Sequence, residues 1–154
     1  MNPIQVVWSR LRHEEDGSAV VEFIGVTVML LVPLVYLVLT LGQLQAAAFA
    51  AEAAARESGR VLSQADDLPT AVVHAQTAVR LAFEDQGIPV DPEAALSFTC
   101  SEEPCLSPGS QVHVQVSTAV RLPLVPDFLA GAVPLEVPVQ GVHLAPVPEF
   151  REQP

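Results

Sequence analysis

The chain has 154 residues, with eighteen acidic residues against seven basic ones and a formal net charge of −11. All seven basic residues are arginine, and so acidic a balance argues against nucleic-acid binding, which needs a basic stripe to neutralise phosphates. Half of the residues are hydrophobic and only 16% are charged, against about 25% in an ordinary soluble domain, which excludes an acidic disordered chain and disfavours a plain soluble enzyme. Acidic and apolar residues are therefore expected in separate blocks, within one modest domain at most.

Residues 1–17 form a short polar leader holding Arg10, Arg12, Glu14, Glu15 and Asp16. From Phe23 to Leu41 no charged residue occurs. That run, with its uncharged flanks, matches the roughly 20 apolar residues a helix needs to cross a bilayer, and the predicted span is residues 18–45. Pro33 lies in its middle. Membrane helices tolerate such a proline where the freed carbonyl finds another partner, and a bend is predicted near residues 29–33. A buried helix of a soluble protein is the alternative, although a chain this short cannot easily cover so long an apolar cylinder. A cleaved secretory signal is another, since Ala46-Ala47-Ala48 has small-residue cleavage character; its apolar region runs only about 7–15 residues. Arg10 and Arg12 precede the span and no basic residue follows until Arg56, so positive charge predicts a cytoplasmic N-terminus and an extracytoplasmic C-terminal domain.

Eight of the ten residues from Ala46 to Ala55 are alanine, the best helix former. Small residues recur at spacings of three and four through Ser58, Val61 and Leu62. One helix from Ala19 to Leu62 would measure about 66 Å. Its small face suits close packing either within the domain or between subunits, and Glu52 and Arg56 stand one turn apart as a surface pair. Asp66-Asp67-Leu68-Pro69-Thr70 carries helix-start chemistry, and residues 70–86 read as a second amphipathic helix ended by Gly87. Ala71, His74, Ala75, Ala78, Leu81 and Ala82 are placed on its common face, with His74 at the surface or boundary. Residues 88–92 read as a loop.

The period then becomes two. Leu96, Phe98 and Cys100 mark one strand. Val112, Val114 and Val116 mark a second, and Leu135, Val137 and Val139 a third, in an antiparallel meander with Pro138 on an edge. The apolar stretch around Phe128 and Leu129 reads as a loop that packs on the sheet or touches membrane or a partner. The domain is assigned to residues 46–146, with a disordered Pro-rich tail at 147–154. The fold class is α+β: a long N-terminal transmembrane helix, a short helix and a small sheet of about three strands.

Cys100 and Cys105 are expected to pair, as cysteines of exported domains do; free thiols or a two-cysteine metal site are the alternatives, the latter lacking further ligands at usable spacing. His13, His74, His113 and His143 are scattered, the Glu102–Glu103 pair reads as a solvated loop, and no nucleophile or phosphate-binding motif occurs. No enzyme activity, cofactor, metal or small-molecule substrate is expected.

The entrance to the apolar run is the most informative segment: a polar leader, Gly17, Ser18-Ala19-Val20-Val21, then Glu22 and an apolar helix. This arrangement resembles prepilin-like proteins, and more narrowly the TadE-like pseudopilins of tight-adherence (Tad/Flp) pili. The likeness spans most of the chain and is strongest over residues 10–42. It implies a pilin-like layout and cleavage between Gly17 and Ser18 by a prepilin peptidase at the cytoplasmic face. It also implies partners among pilin-like subunits and an assembly platform, in contact with membrane lipid, and a register-setting role for Glu22. Gly17 leaves the peptide bond accessible, and Glu22 stands one turn from the Ser18 ammonium that cleavage would create. Read without the resemblance, Glu22 is an interfacial carboxylate favoured by a helix N-terminus, and Gly17 a loop glycine. A signal-anchored extracytoplasmic binding protein unrelated to pili, and more distantly an exported enzyme, remain the other readings.

Overall fold

The computed structural model describes residues 3–123 and 135–150, with side chains from residue 19 onward. Helix α1 runs Pro3–Gln64, α2 Leu68–Glu84 and α3 Pro92–Ala95; strands follow as β1 Leu96–Cys100, β2 Gln111–Arg121 and β3 Glu136–Pro146. The chain divides into two units between Thr40 and Leu41, within α1.

In the first unit α1 exposes its large apolar side chains: Phe23, Met29 and Leu30 are 72%, 78% and 68% exposed. A core helix of a soluble domain buries such residues, whereas none of the apolar window here is buried. This segment is long and apolar enough to cross a membrane. The helix continues through Pro33.

In the second unit the α+β layout is as expected. Ala47, Ala51, Ala54, Ala55, Ser58 and Leu62 of α1 are fully buried, spaced at three and four along one face. They pack with Val79 and Phe83 of α2 and with Val112, Val114, Val116 and Val120 of β2. The small face of α1 is thus used inside the domain, which resolves the choice left open by its composition. Ser58 Oγ donates to the Ala75 carbonyl at 3.2 Å, tying α1 to α2.

The closest approach is to β3. A Cβ on Gly141 would overlap the main chain of Ala51 and Glu52, and one on Gly59 would stand 2.9 Å from His143 Cδ2 and 3.1 Å from Ala145 Cβ. Only residues without bulk permit this separation.

The sheet is antiparallel in the order β1-β2-β3. Leu96 pairs with Val116 across β1 and β2, and Val116 with Gly141 across β2 and β3. β2 and β3 run four and six residues beyond the expected apolar alternation, to Arg121 and Pro146. β3 is an edge strand, as Pro138 requires. Leu122 N–H donates to the Leu135 carbonyl and Val147 N–H to the Ser110 carbonyl, so odd-numbered residues of β3 bond toward β2. The even-numbered backbone nitrogens face the open side, where Pro138 and Pro146 have no N–H to offer.

Asp67 caps α2, accepting from Thr70 N–H at 3.0 Å, with Pro69 in the first turn. Gly87 ends the turn that follows α2 with φ +66°, a conformation other residues adopt at a cost. The buried line of α2 is Ala71, Ala75, Val79 and Phe83. This corrects the expected face, since Leu81 is exposed and Ala78 and Ala82 are only half-buried, whereas His74 is at the surface as expected. Residues 88–91 form the expected loop, and α3, capped by Asp91 with Pro92 in its first turn, begins at its end.

The tail assignment also needs correction. Val147, placed at the start of a disordered tail, is buried, and its carbonyl accepts from Gly109 N–H at 3.3 Å. Phe128 and Leu129 lie outside the described residues, as do residues 151–154.

Gly141→Ala is expected to lower the stability of the full chain in detergent micelles by about 3 kcal/mol through overpacking. Gly42→Ala, with open space at its Cβ position, should raise helix stability by up to about 1 kcal/mol. Thermal unfolding followed by circular dichroism orders the two; equal midpoints would refute the close seam.

The Asp67 carboxyl is held below its ordinary value of 3.8 by the Thr70 hydroxyl first and the Thr70 backbone N–H second. A lowered folded pKa gives stability that is complete above the unfolded value and is lost as pH falls through the folded one. Asp67→Asn keeps an acceptor but removes the titration, so its unfolding midpoint should fall less than the parent's as pH drops below 3.8. Parallel acid titrations would count against this cap.

Candidate functional site

The residues singled out at the membrane entrance all fall within α1, which begins at Pro3. The backbone of Gly17 and Ser18 is helical rather than a loop before the helix. Glycine costs a helix about 1 kcal/mol relative to alanine, so Gly17 is a weak point in the turn that precedes the apolar run. Glu22 is exposed, flanked by Val21 and Phe23, which are exposed as well. Among the described residues it has no ion-pair or hydrogen-bond partner. In a helix long and apolar enough to cross a membrane, a carboxylate is costly, and such groups mark sites that pair with something else.

Further along, Thr40 Oγ1 donates back to the Tyr36 carbonyl at 2.8 Å, the usual way a threonine hydroxyl is accommodated within an apolar helix. A secretory-type cut at Ala46-Ala47-Ala48 would sever α1 and remove Ala47 from the core, where it is fully buried. The cleaved-signal alternative conflicts with this packing.

In the second unit, the Cys100 and Cys105 sulfurs lie at disulfide distance, with the Cα atoms 5.1 Å apart. The pair ties the end of β1 to the loop leading into β2. Ser101 N–H donates to the Gln111 carbonyl at 2.9 Å and Gln111 N–H to Ser101 Oγ at 2.8 Å, closing the same loop. Ser110, almost fully buried, donates to the Cys105 carbonyl at 3.3 Å.

The described histidines do not converge. His74 is exposed on α2; His113 and His143 belong to opposite faces of the sheet, the first exposed and the second under Gly59. Among the described residues no three of His, Cys, Asp and Glu come together. Glu102 and Glu103 are exposed.

The four arginines with described side chains each face a glutamate: Arg56–Glu52 at 3.4 Å, as the spacing predicts, Arg80–Glu84 at 3.8 Å, Arg121–Glu136 at 3.6 Å, and Arg60 with Glu57. Arg60 holds the Glu57 carboxyl below its usual range by hydrogen bonding. These exposed pairs contribute little stability, but among the described residues they leave no concentrated positive field on the domain.

A shallow groove of about 660 Å³ runs between α1 and α2, lined by Phe49, Ala53, Ala78 and Leu81 with Glu57 and His74 among the polar residues. Sequence periodicity missed this groove because it placed Leu81 on the common face of α2. Comparison with protein-family models, with curated proteins and with solved structures finds no match.

Peptide mapping without reductant is expected to return Cys100 and Cys105 as one linked peptide. Reduction should lower unfolding stability by about 2 kcal/mol, the chain-entropy value for so short a loop. Alkylation of both thiols in the untreated protein would refute the bond.

Proposed function

We propose that the chain is a prepilin-like membrane protein, a minor pseudopilin or assembly subunit of a Tad/Flp-type pilus or related secretion system, with no catalysis of its own. The observation that carries this is Glu22: one exposed carboxylate without a described partner, five residues after Gly17, and the one charged residue between Ala19 and Ala51. Cleavage after Gly17 by a prepilin peptidase would leave Ser18 with a free ammonium. A neighbouring subunit's Glu22, one turn along, would neutralise it in a medium where an unpaired charge is strongly disfavoured. That pairing would set the register between subunits.

Topology follows from the arginines: Arg10 and Arg12 stay in the cytoplasm and residues 46–154 lie outside. The cysteine pair supports the same placement, since disulfides persist in oxidising compartments. The outer domain carries nine net negative charges and is presented by the membrane helix to lipid, other pilin-like subunits and the assembly platform. The groove between α1 and α2 favours a second reading, a signal-anchored extracytoplasmic binding protein unrelated to pili.

Gly17 and Glu22 separate the two. Mass spectrometry of the membrane-extracted protein is expected to show a mature chain beginning at Ser18, and Gly17 changed to a bulky residue should leave Met1 in place. Glu22→Ala should abolish co-purification with pilus subunits while leaving membrane insertion intact. An intact Met1 terminus in the parent protein would remove the processing claim.

A further inference from the structure

We infer that the groove on the outward face of the α1–α2 hairpin is a docking site, and that its occupant is a cationic amphipathic helix of a partner protein. The inference stands on this groove alone, under either reading of function given above.

α1 and α2 form an antiparallel hairpin. Three residues separate Gln64 from Leu68, and Ser58 of α1 bonds to Ala75 of α2. One side of the hairpin packs on the sheet through Ala51, Ala55, Ala75 and Phe83. On its outward side the hollow of about 660 Å³ continues into a second of about 370 Å³, and Val61 and His74 line both. Together they follow α1 from Phe49 to Gln64, a distance of about 22 Å, or roughly four helical turns.

The shape suits a third helix. Ala50, Ala53, Ala78 and Ala82 lie along the trough, and their short side chains let a neighbouring helix reach ordinary packing distance. Phe49 and Leu81, 68% and 51% exposed, supply apolar surface for its anchors. An amphipathic helix fills such a trough with residues at i, i+3, i+4 and i+7. A small molecule is a poor occupant, because ligand pockets enclose most of the ligand surface and this trough is open along its length.

Charge selects the kind of helix. The carboxylates of the trough are Glu57 at mid-length, Asp85 at one mouth and Asp66 and Asp67 at the other, and no arginine lines it. The arginines of the hairpin, Arg56, Arg60 and Arg80, are engaged by Glu52, Glu57 and Glu84 on their own helices. The Asp85 carboxylate has no partner among the described residues. The acidic mouths therefore repel an anionic lipid surface and attract a segment bearing Lys or Arg beside its apolar stripe.

The test uses the full-length chain in phosphatidylcholine nanodiscs, with a photo-crosslinking phenylalanine analogue at Leu81 or, on the sheet, at the similarly exposed Leu144. The probe is a synthetic helix of about sixteen residues, leucine on one face and lysine on the other. An adduct is expected from Leu81 and not from Leu144. It should fall about tenfold or more with a scrambled peptide of the same composition, and equally with glutamate in place of lysine. Ala53→Trp, which fills the trough from an exposed position, should raise the half-saturating peptide concentration roughly tenfold. Asp85→Asn should raise it about threefold and weaken its dependence on salt. Equal labelling by the scrambled peptide would reduce the contact to net charge, and equal labelling by the glutamate peptide would remove the charge argument. Either result overturns the proposal, as do an unchanged response in Ala53→Trp, a Leu81 adduct between two copies of the chain, or no adduct at all.

Discussion

The fold of the second unit depends on how closely the alanine-rich part of α1 approaches β3. Gly141 lies against the main chain of Ala51, and Gly59 against His143 and Ala145. No side chain larger than hydrogen fits at the first contact, so backbone meets backbone there. The consequences spread outward. α1 presents Ala47, Ala51, Ala54 and Ala55 on its buried face, with little bulk of its own to give the core. The bulk that fills the core comes from the sides instead, from Phe83 and Val79 of α2, Leu62 at the end of α1 and the valines of β2. Dispersion and burial then act over a contact with little side-chain entropy to lose, since alanine and glycine have none.

The same contact explains which parts of the fold were legible in the chain. The alanine repeat, the Asp67 cap and the alternation of Val112, Val114 and Val116 each signal through local chemistry. β3 is different. Up to Gln140 its apolar residues face the core. Beyond Gly141 the larger apolar residues, Val142 and Leu144, face outward, and Gly141, His143 and Ala145 turn inward. The hydrophobic pattern changes parity although the strand does not, because α1 admits only small groups at Gly141 and Ala145. A rule based on hydrophobicity therefore ends the strand several residues early.

α2 posed a related difficulty. Alanines occur around much of its circumference, so periodicity admits more than one buried face. The decision between Leu81 and Val79 belongs to Phe83, which reaches the core from the line Ala71, Ala75, Val79. Val147 was hidden for another reason. A single valine among prolines carries no periodic signal, and its order comes from main-chain bonds to Gly109 and Ser110, more than thirty residues away in the chain. At the membrane entrance the spacing of Gly17 and Glu22 was legible as a pattern. The exposure of Glu22, and the helical state of Gly17, needed coordinates.

The prolines of β3 have a consequence for how copies of this chain can be stacked. Along the open side of that strand only Gln140, Val142 and Leu144 retain an amide between Pro138 and Pro146, a stretch of about 13 Å from first to last. An added strand would find three donors and then nothing to continue the ladder. The other border, β1, is five residues long and ends at the cysteine loop. Sheets that grow from molecule to molecule need long, unbroken, matching borders, and this domain has neither. Copies of this chain therefore cannot be joined by a continuous sheet through these borders, and the sheet remains a closed local object that resists runaway polymerisation.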